Sequence, residues 1–138
     1  MDRKLYLGVV LALALLAAGC DNEVEDATGP IAPAPTTTEN FEGTINVNGA
    51  MTHTFATVAA GPVTATLTEV TPDNTIAIGL VLGHWNGVIC QMQMAMDFAV
   101  QGNQLVGVVS GPGSLCVRIH DNGRMTAPLS YKLSVVHP

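Results

Sequence analysis

The sequence predicts an all-β chain: a single antiparallel β-sandwich or jelly-roll-like domain of about eight strands, preceded by a signal helix and a disordered linker. Three observations carry this expectation. From Phe41 to Pro138 apolar and polar residues alternate, with Thr and Val abundant. Turn residues recur at short intervals, at Asn48-Gly49, Pro72-Asp73-Asn74, Gly102-Asn103, Gly111-Pro112-Gly113 and Asp121-Asn122-Gly123. No stretch after the first twenty residues has a helical period.

The first element is the apolar run Leu5 to Ala18, which follows Arg3 and Lys4 and ends at Gly19-Cys20. As a helix its 14 residues would reach about 21 Å, short of the roughly 30 Å hydrocarbon core of a bilayer. A basic start, an apolar middle and small residues before the cut are the parts of a secretory signal. With Ala18-Gly19 before Cys20, residues 1–19 resemble a bacterial lipoprotein signal peptide. That resemblance implies thioether lipidation of Cys20 and cleavage in front of it. The family usually places Leu three residues before the Cys, where this chain has Ala17. Ordinary secretion with a cut near Ala18 and an uncleaved anchor are the alternatives.

Residues 20–40 read as the lipidated Cys and a disordered linker. Asp21, Glu23, Glu25, Asp26 and Glu39 supply its charge, and Pro30, Pro33, Pro35 and Thr36-Thr37-Thr38 leave no apolar periodicity. Such a segment cannot bury enough surface to offset its chain entropy. Asp21 resembles an inner-membrane retention signal of lipoproteins in some enteric bacteria; the choice of membrane stays open.

Residues 41–138 form the expected β-sandwich domain. Phe41, Gly43, Ile45 and Val47 share one face of a first strand that ends at Asn48-Gly49. Strands follow at Thr52–Val58 and Val63–Val70, the latter with Val63, Ala65 and Leu67 inward. Thr75–Leu82 is apolar on both faces and suits a central strand. Val88–Met96, Gln104–Val109, Leu115–His120 and Leu129–Val136 complete the set of eight.

The runs Phe41-Glu42-Gly43, His53-Thr54-Phe55, Gly61-Pro62-Val63-Thr64-Ala65-Thr66-Leu67, Gly113-Ser114-Leu115-Cys116-Val117-Arg118-Ile119 and Tyr131-Lys132-Leu133-Ser134-Val135 resemble the bacterial pre-peptidase C-terminal (PPC-like) domain. The resemblance covers residues 41–138 and implies a β-sandwich carried by exported proteins for secretion, solubility or substrate attachment. No protease precedes the domain in this sequence. The acidic Asp-x-Asp strand common in that family is replaced by Thr75-Ile76-Ala77-Ile78-Gly79, so no calcium or catalytic position is carried across.

Charge excludes one class of partner. The 138-residue chain has a formal net charge of −6, and its first 19 residues contain Asp2, Arg3 and Lys4, so the 119 residues that remain carry −7. Three basic residues, Arg118, Arg124 and Lys132, cannot neutralise a row of phosphates, and nucleic acid is not an expected partner. An aromatic content of 4% argues against a stacked-ring carbohydrate platform. A protein or polysaccharide partner of another kind is left unidentified.

With Cys20 lipidated, Cys90 and Cys116 form an even pair in an exported chain, and a disulfide is the first reading; two free thiols are the alternative. Alternation places Cys90 with Met92 and Met94, whereas Cys116 is in phase with Arg118 and His120. The bridge therefore needs a bulge or a strand end. Met92, Met94 and Met96, preceded by His84, form a row of soft sulfur donors at strand spacing, which suits Cu(I) in an exported copper-handling protein. Core packing by Met explains the same pattern. His53, His84, His120 and His137 are scattered without a zinc spacing. Asp97, Asp121 and Asn122 could bind calcium at loop ends, but they lack the spacing of an EF-hand, and turn chemistry explains the last two. Trp85, the only Trp, precedes the turn Asn86-Gly87, where a core indole and a ligand anchor are both open.

Catalysis is not expected. Ser110 and Ser114 flank Gly111-Pro112-Gly113 without a nucleophile-elbow motif. Glu42, Glu69, Asp73, Asp97 and Asp121 lie at strand edges or turns rather than as an evident carboxylate pair. The sequence therefore predicts a non-catalytic, cofactor-free, lipid-anchored protein of the bacterial cell envelope, facing the periplasm or exterior, whose sandwich serves binding, adhesion or accessory roles.

Overall fold

The structure, a computed structural model, describes residues 32–138. The expected signal peptide of residues 1–19, the lipidation site Cys20 and the linker up to residue 31 lie outside the described residues.

Eight strands make up the domain: β1 Thr37–Ile45, β2 Ala50–Thr57, β3 Gly61–Thr71, β4 Ile78–Trp85, β5 Cys90–Ala99, β6 Gln104–Val109, β7 Gly113–His120 and β8 Leu129–His137. They form two four-stranded antiparallel sheets, in the orders β1-β8-β3-β6 and β2-β7-β4-β5. The pairs β1–β8, β2–β7, β3–β6 and β4–β5 nest around the single tight β4–β5 hairpin, as in an eight-strand hairpin rolled into a jelly roll. The all-β sandwich expected from alternation is the architecture observed.

Alternation fills the space between the sheets. Val63, Ala65 and Leu67 of β3 are buried, with Leu129, Tyr131, Leu133 and Val135 of β8 beside them. Leu115, Val117 and Ile119 of β7 and Leu80 and Leu82 of β4 face them from the other sheet within one core cluster. Each lies two residues from the next because successive strand side chains point to opposite faces. Tyr131 is paired across the strands with Gly43, where an added Cβ would stand 2.7 Å from the phenol oxygen. Gly43 thus leaves room for the ring in the core.

β1 begins at Thr37, four residues before the expected domain start and inside the expected linker, because Thr37 to Asn40 continue the pairing with His137 to Ser134 of β8. β-Branched Thr suits such an edge. β4 lies between β7 and β5 and is buried on both faces from Ile78 to Gly83. Its outer face is covered by side chains of its own sheet rather than by a third layer: the His120 ring lies over Gly79.

Register shifts interrupt alternation between Leu67 and Glu69 in β3, and opposite β5 between Ile78 and Leu80 and between Leu82 and Gly83. The two shifts at β5 decide where its chemistry points. β5 is an edge strand, mostly exposed rather than core.

Candidate functional site: the β5–β6 rim

The topology places the edge strands of both sheets together. β1 and β2 border one side of the sandwich, β6 and β5 the other. The second side has an unusual composition. Between Asp73 and Arg118 the only Asp, Glu, Lys or Arg is Asp97. Exposed edge strands ordinarily carry Lys, Pro or inward charges that block further pairing. Here Met92, Met94, Phe98, Val106 and Val108 are exposed instead, Val108 at 82%, and Val88 and Ile89 are exposed in the turn that precedes β5.

The rim is also recessed. A cleft of about 280 Å³ opens between the sheets, with Val63, Leu82, Met94 and Leu115 in its wall and His84 at its mouth. It exists because Gly107 presents no side chain; a Cβ there would meet Leu82 and the Met94 sulfur, each at 3.2 Å. A second recess of about 300 Å³ shares His84, Val108, Val109 and Leu115 and runs on to Ser110-Gly111-Pro112-Gly113. Together they form a groove with an apolar wall and a backbone-rich end. Such a groove can seat a side chain of a partner while the strand edges offer free N–H and C=O groups.

The expected row of three thioethers is not formed. Met94 is opposite Leu82 and Met96 opposite Leu80, but the register shift sets Met92 opposite Gly83. Leu82 and Gly83 are successive residues and face opposite ways, so Met92 lies on the other face from Met94. His84 lines the groove with Met94. Among the described residues no group of three or more His, Cys, Asp or Glu is placed to hold a metal ion.

Cys90 and Cys116 are bonded, with Cα atoms 5.7 Å apart. The two strands are not neighbours; β4 lies between them. Gly83 makes the bridge possible. An added Cβ on Gly83 would meet the Gln91 carbonyl, so the start of β5 folds across the outer face of β4 and reaches β7. Cys116 does share the outward phase of Arg118 and His120, and it is buried because Cys90 covers it. The bulge that sequence phase required is the one that splits the Met row.

The four histidines occupy separate environments. His53 lies between the sheets, stacked on Phe41 with ring centroids 4.8 Å apart and hydrogen-bonded through Nε2 to the Tyr131 hydroxyl at 2.7 Å. Burial holds the His53 pKa below its ordinary value and pushes Tyr131 up to about 12. His120 is lowered as well, by burial and then by Arg118. His137 is buried and meets Glu39 at 3.0 Å, where β8 closes on the start of β1. Sequence reading missed the His53–Tyr131 pair, because its partners are 78 residues apart.

Three of the five candidate carboxylates, Glu69, Asp73 and Asp121, have structural partners. Glu69 pairs with Lys132 at 2.8 Å. Asp73 accepts from the Thr75 backbone N–H and hydroxyl, and its pKa is lowered by them. Asp121 accepts from the N–H groups of Asn48, Gly123, Arg124 and Met125, with Asn48 the largest cause of its lowered pKa. The backbone carbonyl of Asp97 accepts from the Asn122 amide. Trp85 lies outside the core cluster.

No family model matches the chain, and no curated protein matches it in sequence. The resemblance to the pre-peptidase C-terminal domain therefore has no support from a family model. Among solved structures the chain is similar to Aeromonas hydrophila PliG, a periplasmic lysozyme inhibitor of g-type lysozyme. The TM-score is 0.51 at 12% identity, covering 71% of this chain and 83% of that one. At that identity the likeness is one of fold.

Proposed function

We propose that the mature protein is a non-catalytic binding module of the bacterial envelope, tethered by a lipid on Cys20, whose sandwich engages a protein partner through the β5–β6 rim. The observation that carries the reading is the rim itself: two adjacent sheet edges, almost free of charge, with exposed aliphatic residues and a groove between them. Exposed apolar side chains grouped on neighbouring sheet edges beside a groove mark interaction sites. The similar fold of a periplasmic inhibitor of g-type lysozyme supports an envelope location and a protein as the partner, and an intramolecular disulfide accords with an oxidising compartment.

Two measurements test this. A photo-crosslinking residue in place of Val108, in intact envelopes, should give a discrete protein adduct that the pair Val106→Asp and Val108→Asp prevents. The same residue at Thr44, on the far side, should give none. Adducts from both sides alike, or from neither, would overturn the rim as the contact. A g-type lysozyme is the first partner to assay. Inhibition by the soluble chain should depend only weakly on salt, because Asp97 is the one charged residue of β5 and β6.

A further inference from the structure

The outer face of the β2-β7-β4-β5 sheet carries a second recess, distinct from the rim groove. Residues 85–90 are turned over this face, and beneath them opens a cleft of about 470 Å³. Its floor is Thr52 and Arg118, cross-strand partners on β2 and β7. Its walls are Trp85, Val88, Ile89 and Cys90. The volume lies within the roughly 300–1,000 Å³ of small-ligand sites.

The walls are fixed in place. The Asn86 side-chain oxygen accepts from the N–H groups of Val88 and Ile89 at 2.9 and 2.8 Å, and the Asn86 N–H donates to the Ile89 carbonyl. The bond from Cys90 to Cys116 ties the same turn to β7, two residues from Arg118. Val88 and Ile89 are therefore held out in solvent and cannot collapse onto the core.

The floor has unused donors. Of the domain's three cations, Lys132 is paired with Glu69 and Arg124 lies over the Phe98 ring at 4.6 Å. Arg118 is exposed and makes no ion pair among the described residues. A guanidinium presents a planar fork that matches one carboxylate in two hydrogen bonds. A bare anion gains little here, since residues 20–138 carry a net −7 and a single cation faces it. The aliphatic and indole walls must supply the remainder.

We infer that this cleft binds a carboxylate with an apolar group directly beside it, as at the C-terminus of a peptide that ends in an aliphatic residue. One residue then meets both requirements: its α-carboxylate takes the Arg118 fork, and its side chain packs on Trp85, Val88 and Ile89. Thr52 offers a hydroxyl to the second carboxylate oxygen or to the preceding amide.

Trp85 is the chain's only Trp, so its fluorescence reports on the site alone. The chain from residue 20, bearing Cys20→Ser, is titrated with N-acetyl-Ala-Ala-Leu, with its C-terminal amide, and with octanoate. The acid should give a saturable change, and the amide should bind at least about tenfold more weakly, the usual cost of a lost charged hydrogen bond. Arg118→Gln should show the same loss. Equal binding of acid and amide, or an unaltered response in Arg118→Gln, would overturn the assignment; so would a failure of the acid to saturate. Tighter binding of octanoate would remove the peptide terminus as occupant. The pair Val106→Asp and Val108→Asp should leave these titrations unchanged, which separates this site from the rim.

Discussion

Gly83 shows how one missing side chain can govern a surface. The crossing of β5 over β4, the Cys90–Cys116 bond and the overhang of residues 85–90 all require that nothing project from Gly83 toward the Gln91 carbonyl. Gly83→Val should lower the unfolding free energy by about 2–3 kcal/mol, in the range of overpacked sites, because the obstacle is backbone and cannot rotate away. Gly111→Val, where nothing lies within 4 Å of an added Cβ, should be nearly neutral in the same urea titration. Equal effects would show that the crossing does not depend on Gly83. His53 makes a second prediction at this scale. Its folded pKa lies below the ordinary 6.5, so near and below that value the unfolded chain binds the proton more readily. The stability it contributes is present above pH 6.5 and is lost as pH falls through the folded value. The urea midpoint should drop between pH 7.5 and 5.5, and His53→Gln should flatten part of that drop. His120, shifted in the same direction, accounts for a second part. Asp73 and Asp121, also lowered, act only in more acid solution, below about 3.8.

At the scale of elements, the disulfide joins strands that share no ladder, and it closes a loop with a sequence separation of 26. Removing it through Cys90→Ser and Cys116→Ser should cost about 3–4 kcal/mol in the chain-entropy account. Hydrogen exchange should then rise across residues 85–94 and remain slow in the β1-β8-β3 ladder, which the bond does not touch. Uniform acceleration in both sheets would mean that the bond stabilises the whole sandwich rather than the overhang. The strands themselves were legible in the sequence, because period-two alternation states which residues face the core: Val63, Ala65 and Leu67 are all buried as their spacing implies. Alternation is local, however, and carries no record of an inserted residue on a partner strand. The extra residue opposite Leu82 and Gly83 turned Met92 away from Met94 and moved Cys90 within reach of Cys116. A copper row and an obstacle to the disulfide were both read from a phase that the bulge resets.

At the scale of the whole molecule, strand order decides where function can lie. Eight alternating strands imply a sandwich, but only the nesting of β1–β8, β2–β7, β3–β6 and β4–β5 brings the β5 and β6 edges side by side. The charge-poor stretch between Asp73 and Arg118, with Asp97 alone in it, was visible in the sequence; that it supplies the edges of both sheets on one side depends on pairings up to 100 residues apart in the chain, such as Thr37 with His137. The same nesting sets β1, the first strand and the one nearest Cys20 in sequence, at the edge opposite that rim. None of the described residues forms a helix long and apolar enough to cross a membrane. Cys20→Ser should move the protein from the membrane to the soluble fraction and leave its thermal midpoint unchanged, because the core among the described residues lies within residues 41–138. Restoring Cys20 should restore retention. Protein that stays with the membrane despite Cys20→Ser, and resists high-salt washing, would show that the apolar run Leu5 to Ala18 remains as an uncleaved anchor and that Cys20 carries no lipid that matters for attachment.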